Sequence, residues 1–152
     1  MKNPIDPFYI AYRGSFTSLL KWPDLDAFWQ VLSDQADKGW YIYITSEAPP
    51  VQVASKDELR AFIRKLDQHL HQEHAEDYCG IVYTDSKTEP AYIKIYDPQN
   101  LGVVCGIGRE PIFPGWIISR LQPRTLDELP PLQDKAKPWW RRLLPQAGIG
   151  KK

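Results

Sequence analysis

The sequence predicts an α+β fold: a mainly antiparallel sheet of four to five strands, two helices packed on one face, and an extended C-terminal tail. Two observations support this prediction. The predicted elements run strand, helix, strand, helix and then several strands, an order typical of helices segregated to one face of an antiparallel sheet. The end of the chain is interrupted by proline too often to hold a stable helix. These prolines are Pro123, Pro130, Pro131, Pro138 and Pro145.

The chain divides into a domain over residues 1–121 and a proline-rich basic tail over residues 122–152. A length of 152 residues suits a single domain that can bury its own core. The formal net charge is zero, yet from Asp134 onward six basic residues accompany one acidic residue. The sequence therefore predicts a mildly acidic body with a basic end.

The first half of the domain contains two predicted strands and the first helix. Half of residues 8–13 are aromatic, and the segment predicts a strand. Asp24 is the predicted cap of a helix over residues 24–38, and Gly39 is the predicted end of that helix. Apolar side chains recur along it at helical spacing. Residues 40–45 are β-branched or aromatic on both alternations, which predicts a central strand covered by helices on one side and partly covered on the other.

The second helix is the element that the pattern predicts most clearly. Ser55 and Glu58 form a capping box at its start, and the helix extends over about residues 55–74. One face carries apolar residues at i, i+3, i+4, i+7 and i+11. These residues are Leu59, Phe62, Ile63, Leu66 and Leu70.

Strands are predicted over the remainder of the domain. Residues 78–84 and 91–96 are strand-like runs joined by a short polar linker, which favours an antiparallel hairpin. Residues 101–105 are a candidate for a further strand. Residues 112–121 contain Pro114 and Gly115, and they are compatible with a last strand or a short helix.

Cysteine usage and hydropathy favour a cytoplasmic protein. Cys79 and Cys105 lie singly within strand-like runs, so a disulfide framework or a cysteine zinc site is not expected. The sequence lacks a secretory leader and any apolar run of about 20 residues, the length that a membrane span needs.

Three histidines near the end of the second helix are the first candidates for chemistry. Asp67, His71 and His74 stand at i, i+4 and i+7, a spacing that permits one metal ion to be shared. The pattern is not the His-Glu-x-x-His signature, and a solvated helix end explains it more simply. No metal or cofactor is therefore predicted.

Two further patterns offer chemistry but also have simpler structural explanations. Cys79 or Cys105 could act as a nucleophile beside a histidine, although cysteines that alternate with apolar residues are more often buried. Three glycines followed by Arg109 could bind an anion, although tight turns need glycine for conformational reasons alone. The glycines are Gly102, Gly106 and Gly108. No catalytic residue is predicted.

The tail contains a segment whose composition is not accounted for by the predicted fold. It concentrates the residue types that anchor protein interfaces: Trp139, Trp140, Arg141, Arg142 and Leu143. Docking on a partner protein, shallow contact with a membrane surface, and folding back onto the domain all remain open. Nucleic-acid binding is not expected, because the acidic body opposes it.

The sequence favours a non-enzymatic accessory or adaptor protein that binds a partner protein and uses the tail segment as a docking element. The alternative is a small ligand-binding domain or enzyme with a pocket near the Gly102–Arg109 loop. Its polar groups would be Asp97, Cys105 and Arg109. Oligomeric state is not predicted.

Overall fold

The computed structural model describes residues 5–74, 79–98 and 113–129. The helices of these residues are α1 (Pro7–Tyr12), α2 (Trp22–Asp34) and α3 (Lys56–Glu73). The strands are β1 (Thr17–Ser18), β2 (Tyr41–Ile44), β3 (Val82–Thr84), β4 (Tyr92–Ile95) and β5 (Trp116–Ser119). All five strands join in one antiparallel sheet with the order β1-β3-β4-β5-β2. The predicted α+β fold is confirmed.

Helices cover both faces of the sheet. Neighbouring residues of a strand point to opposite faces, so β2, β4 and β5 each contribute to two apolar clusters. On one face Ile93 and Ile118 pack beneath α2 and α3. On the other face Tyr43 and Ile117 pack against α1. The two predicted helices therefore share one face, and α1 is an additional helix on the opposite face.

The prediction of a first strand over residues 8–13 is wrong, because this segment forms α1. The Asp6 carboxylate caps the helix by accepting a hydrogen bond of 2.8 Å from the backbone N–H of Phe8. Pro7 occupies the first turn, where its missing N–H is not needed. Phe8 and Tyr12 are one turn apart and both are buried, so the aromatic run has helical rather than alternating burial.

The predicted helix over residues 24–38 is present as α2 followed by a short 3-10 turn, Ala36–Lys38. It begins at Trp22 instead of after Asp24, and Lys21 precedes it without a capping side-chain hydrogen bond. Gly39 ends the 3-10 turn with φ of 92°. That left-handed conformation is why glycine stands at this position.

The capping box of α3 is confirmed by its two hydrogen bonds. The backbone N–H of Glu58 donates to the Ser55 hydroxyl oxygen at 3.0 Å, and the backbone N–H of Ser55 donates to the Glu58 carboxylate at 2.7 Å. The five residues of the predicted apolar face pack against the cluster beneath α2 and α3. Phe62 is partly buried there, and the other four are buried: Leu59, Ile63, Leu66 and Leu70.

The central position predicted for residues 40–45 is wrong, because β2 lies at an edge of the sheet, next to β5. Its two-sided apolar pattern has a different cause. Ile42 faces the cluster beneath α2 and α3, and Tyr43 faces α1. A strand covered on both faces has the sequence pattern of a central strand even when, among the described strands, it pairs with only one neighbour.

The predicted hairpin is confirmed by the antiparallel pairing of β3 with β4, in which Val82 lies opposite Ile95. The Asp85 carboxylate supports the turn by accepting hydrogen bonds from the backbone N–H groups of Ala91 and Tyr92. The last predicted element is a strand, β5, and not a helix. The candidate strand over residues 101–105 lies outside the described residues.

The first residues of the predicted tail pack on the domain. The Tyr9 hydroxyl donates a hydrogen bond of 2.6 Å to the backbone oxygen of Thr125. Leu126, in the 3-10 turn Leu126–Glu128, is buried in the cluster beneath α1. Residues 130–152 lie outside the described part of the chain. Across the ranges that are described, no helix combines the length and the apolar character needed to cross a membrane.

Candidate functional site

Asp97 is the one residue of the predicted ligand pocket that the structure describes. It follows β4, and its carboxylate oxygen lies 3.6 Å from Nε2 of His69. The His69 ring makes an edge contact with Trp116, with 5.5 Å between ring centroids. Cys105 and Arg109 lie outside the described residues, as do the docking residues of the tail. The latter are Trp139, Trp140, Arg141, Arg142 and Leu143.

Cys79 lies in the core, as its alternation with apolar residues indicated. Its side chain is 1% exposed. Burial raises the pKa of the thiol, because the thiolate is the less favoured form in an apolar environment. A buried thiol with a raised pKa is a poor nucleophile at neutral pH.

The histidine region of α3 brings together a different set of residues from the one predicted. Asp67 and His71 are in contact, with 3.5 Å between Oδ1 and Nε2. The third member is Asp26, from α2, and not His74. One donor atom from each of Asp26, Asp67 and His71 lies within 4.8 Å of the other two. We call these three residues the carboxylate–histidine cluster.

Two tryptophans from α2 hold this cluster in place. The indole N–H of Trp29 donates to Oδ1 of Asp67 at 2.9 Å. The Trp22 ring stacks on the His71 ring, with 3.9 Å between centroids and 26° between planes. Trp22, Asp26 and Trp29 stand at i, i+4 and i+7 on α2, so one stripe of this helix meets the polar end of α3.

The sequence did not identify Asp26, because its partners lie on another helix. Spacing within α3 relates Asp67 to His71 and His74, but it contains no information on which α2 side chain packs opposite them. The available signal was the i, i+4, i+7 stripe of α2, in which an acidic residue lies between two tryptophans.

A second feature is an apolar groove between α3 and the segment that follows β2. Its volume is about 510 Å³. It is lined by Ile42, Gln52, Val53, Ala54, Glu58, Ala61, Phe62 and Lys65. A β-bridge between Trp40 and Ala54 brings the segment alongside β2 and α3, where the Ala54 N–H donates to the Trp40 oxygen at 2.7 Å. We call this feature the α3 groove.

The segment that borders the α3 groove carries two exposed valines, of which Val53 lines the groove. Val51 is 74% exposed and Val53 is 49% exposed. One face of α3 lines the groove with residues at i, i+3, i+4 and i+7, namely Glu58, Ala61, Phe62 and Lys65. The small Ala61 leaves space between the larger side chains, and the two charges stand at opposite ends of the stripe.

Lys94 lies on the face of the sheet that α1 covers. Its Nζ is 3.9 Å from the centroid of the Tyr12 ring and 4.2 Å from that of Phe16, a double cation–π contact. Burial lowers the pKa of Lys94 to about 8, because the ammonium is partly removed from water. Burial raises the pKa of the adjacent Tyr12.

Comparison with known proteins gives no match for this chain among protein-family models, curated proteins or solved structures. Proposals about its function rest on the contacts described above.

Proposed function

We propose that this protein is an accessory or adaptor protein that binds a partner protein, and that the α3 groove receives an apolar segment of this partner. One observation carries the proposal: a groove of about 510 Å³, lined in part by apolar side chains, includes the exposed Val53. Removal of apolar surface from water favours the association of two proteins. Contiguous exposed apolar surface commonly marks an interaction site.

The chemistry of the groove defines the segment that fits it. Ala61 and Phe62 provide an apolar floor on one helical face, a surface suited to apolar side chains of an incoming helix. Glu58 and Lys65 are seven residues apart, which corresponds to about 10 Å along a helix. The occupant therefore carries apolar residues in its centre, a basic residue near Glu58 and an acidic residue near Lys65.

The tail supplies the second part of the proposal. Trp139, Trp140, Arg141, Arg142 and Leu143 combine aromatic anchors with cations, and they form the proposed docking element. Two linked contacts with one partner raise the apparent affinity above that of either contact alone. Deletion of residues 134–152 is expected to weaken recovery of the partner, and unchanged recovery would remove the tail from the proposal. Cytoplasmic residence belongs to the same proposal.

The α3 groove is tested by placing a photo-crosslinking amino acid at Val53 of the full-length protein in its native cells. The matched control carries the same amino acid at Leu20, which is exposed but lies outside the groove. We expect a specific crosslink to a separate protein from position 53 and not from position 20. A second substitution, Ala61→Arg, places a cation on the groove floor and is expected to abolish the crosslink.

Three outcomes would contradict this proposal. Crosslinks that are equal from both positions would indicate nonspecific contact. A crosslink that survives Ala61→Arg would place the partner elsewhere on the surface. A crosslink from Val53 to residues 130–152 of the same chain would show that the tail occupies the groove. Circular dichroism of each variant verifies that α3 is retained.

Ligand binding near Asp97 is the second candidate function, and the contact between His69 and Asp97 favours it. That contact gathers an imidazole and a carboxylate beside the ring of Trp116. A thermal-shift screen with nucleotides and common metabolites tests this candidate. A hit is expected to disappear in Asp97→Asn, whereas an unchanged hit in this variant would exclude Asp97 from the site.

A further inference from the structure

We propose that the carboxylate–histidine cluster, Asp26, Asp67 and His71, is a binding site for a divalent first-row transition-metal ion such as Zn²⁺ or Mn²⁺. The three donor atoms come from two helices and lie within 4.8 Å of one another. Donors that share one ion at about 2.0–2.2 Å lie within roughly 4.4 Å of each other. Oδ1 of Asp67 and Nε2 of His71 are already 3.5 Å apart, and a small rotation of the exposed Asp26 side chain brings its carboxylate within that separation.

The neighbouring aromatic side chains orient the donors as outer partners do in metal sites. The Trp29 indole N–H donates to Oδ1 of Asp67 and so fixes the orientation of this carboxylate. The Trp22 ring stacks on His71 and limits rotation of the imidazole. Both tryptophans lie on α2, so the helix that provides Asp26 also positions the two donors of α3.

The donor set favours a transition metal over Mg²⁺ or Ca²⁺. One imidazole nitrogen and two carboxylates suit ions that accept mixed nitrogen and oxygen ligands, whereas Mg²⁺ and Ca²⁺ prefer oxygen alone. Three protein ligands leave further coordination positions for water or for a side chain of a bound partner. Asp26 and His71 are both exposed, so an ion reaches the site from solvent.

A simple ion pair between His71 and Asp67 is the competing explanation of the same geometry. This pair is complete without Asp26, which comes from the other helix. Asp26→Asn therefore separates the two explanations. It keeps the size of the side chain and leaves the ion pair intact, but it removes one negative ligand from the proposed site.

The test measures binding of Zn²⁺, Mn²⁺, Mg²⁺ and Ca²⁺ to the full chain by calorimetry and by thermal unfolding. The variants are Asp26→Asn and His71→Gln, and the matched controls are Asp34→Asn on α2 and Asp57→Asn on α3. We expect one Zn²⁺ or Mn²⁺ per chain and a rise in Tm of roughly 5–10 °C at a hundred times the dissociation constant. Each variant of the cluster is expected to lose at least about tenfold in affinity, and each control is expected to match the wild type.

Substitution with Co²⁺ provides an independent spectroscopic measurement, because its visible absorption reports the ligand set. A visible band in the wild type that is lost in Asp26→Asn supports the site. Equal Zn²⁺ affinity in the wild type and in Asp26→Asn would overturn it, as would equal losses in the controls. Saturation by Mg²⁺ at the same concentration as Zn²⁺ would contradict the assignment to a transition metal.

Discussion

At the scale of single residues, Lys94 shows how a side chain acquires properties that its position in the sequence does not reveal. The alternation of β4 places Lys94 on the same face as Tyr92, and that much follows from the strand pattern. The contact with Tyr12 and Phe16 does not follow, because residues 8–13 read as a strand. Tyr12, at the end of α1, and Phe16, just after it, together cover the Lys94 ammonium group.

The lowered pKa of Lys94 predicts a specific pH dependence of stability. Folded Lys94 loses its proton near pH 8, whereas the unfolded residue retains it to about pH 10.4. Between these values the unfolded state binds more protons, so the contribution of Lys94 to stability increases as pH rises. We expect the urea midpoint of the wild type, relative to that of Lys94→Met, to increase between pH 8 and pH 10.

Comparison with Lys94→Met is necessary because the buried tyrosines make the protein less stable, not more stable, as the pH rises. Burial raises the pKa of Tyr12 and of Tyr92, so their contribution to stability is lost as pH rises above about 10. Both proteins retain these tyrosines, and the effect cancels in the difference. A difference that stays constant from pH 7 to pH 10 would show that Lys94 is not desolvated.

At the scale of elements, α3 is the helix whose boundaries the sequence predicts most closely. Local signals specify it, because Ser55 and Glu58 satisfy each other's backbone N–H groups within the first turn. We expect Ser55→Ala to lower the free energy of unfolding by about 1 kcal/mol, measured by urea denaturation. The control is Ser46→Ala, at an exposed turn position, and an equal effect of the two substitutions would contradict a specific capping role.

The α3 groove and the carboxylate–histidine cluster could not be predicted from the same local signals. The groove exists because Ala54 pairs with Trp40, and the cluster exists because Asp26 packs opposite Asp67. Both features depend on contacts between elements. Local periodicity defines which face of an element is apolar, but it does not define which residue of another element lies opposite.

At the scale of the whole molecule, residues 122–129 belong with the folded body. The sequence places the boundary at residue 121 because prolines follow, yet Leu126 is only 5% exposed in the cluster beneath α1. Proline excludes a helix interior but does not exclude packing in an extended conformation. Composition alone therefore does not reveal that residues near Leu126 pack against the cluster beneath α1.

Leu126→Ala tests how strongly this segment stabilises the molecule. Removal of a buried leucine side chain typically lowers the free energy of unfolding by 2–5 kcal/mol, and we expect about 2 kcal/mol near the margin of this cluster. Chemical denaturation provides the measurement. Leu20→Ala is the control, because the Leu20 side chain is 52% exposed. A loss below about 0.5 kcal/mol for Leu126→Ala would show that the segment contributes little.

The pairing of β2 with β5 also has a consequence for the way this chain folds. Tyr41 lies opposite Ser119, so two strands far apart in sequence must meet before the sheet is complete. Closing such a long loop is entropically unfavourable and slows folding. During synthesis β2 leaves the ribosome well before β5. Its tyrosine and isoleucine side chains therefore stay uncovered by their partner strand until β5 has been made. This interval is when the chain is most exposed to aggregation or to capture by a chaperone.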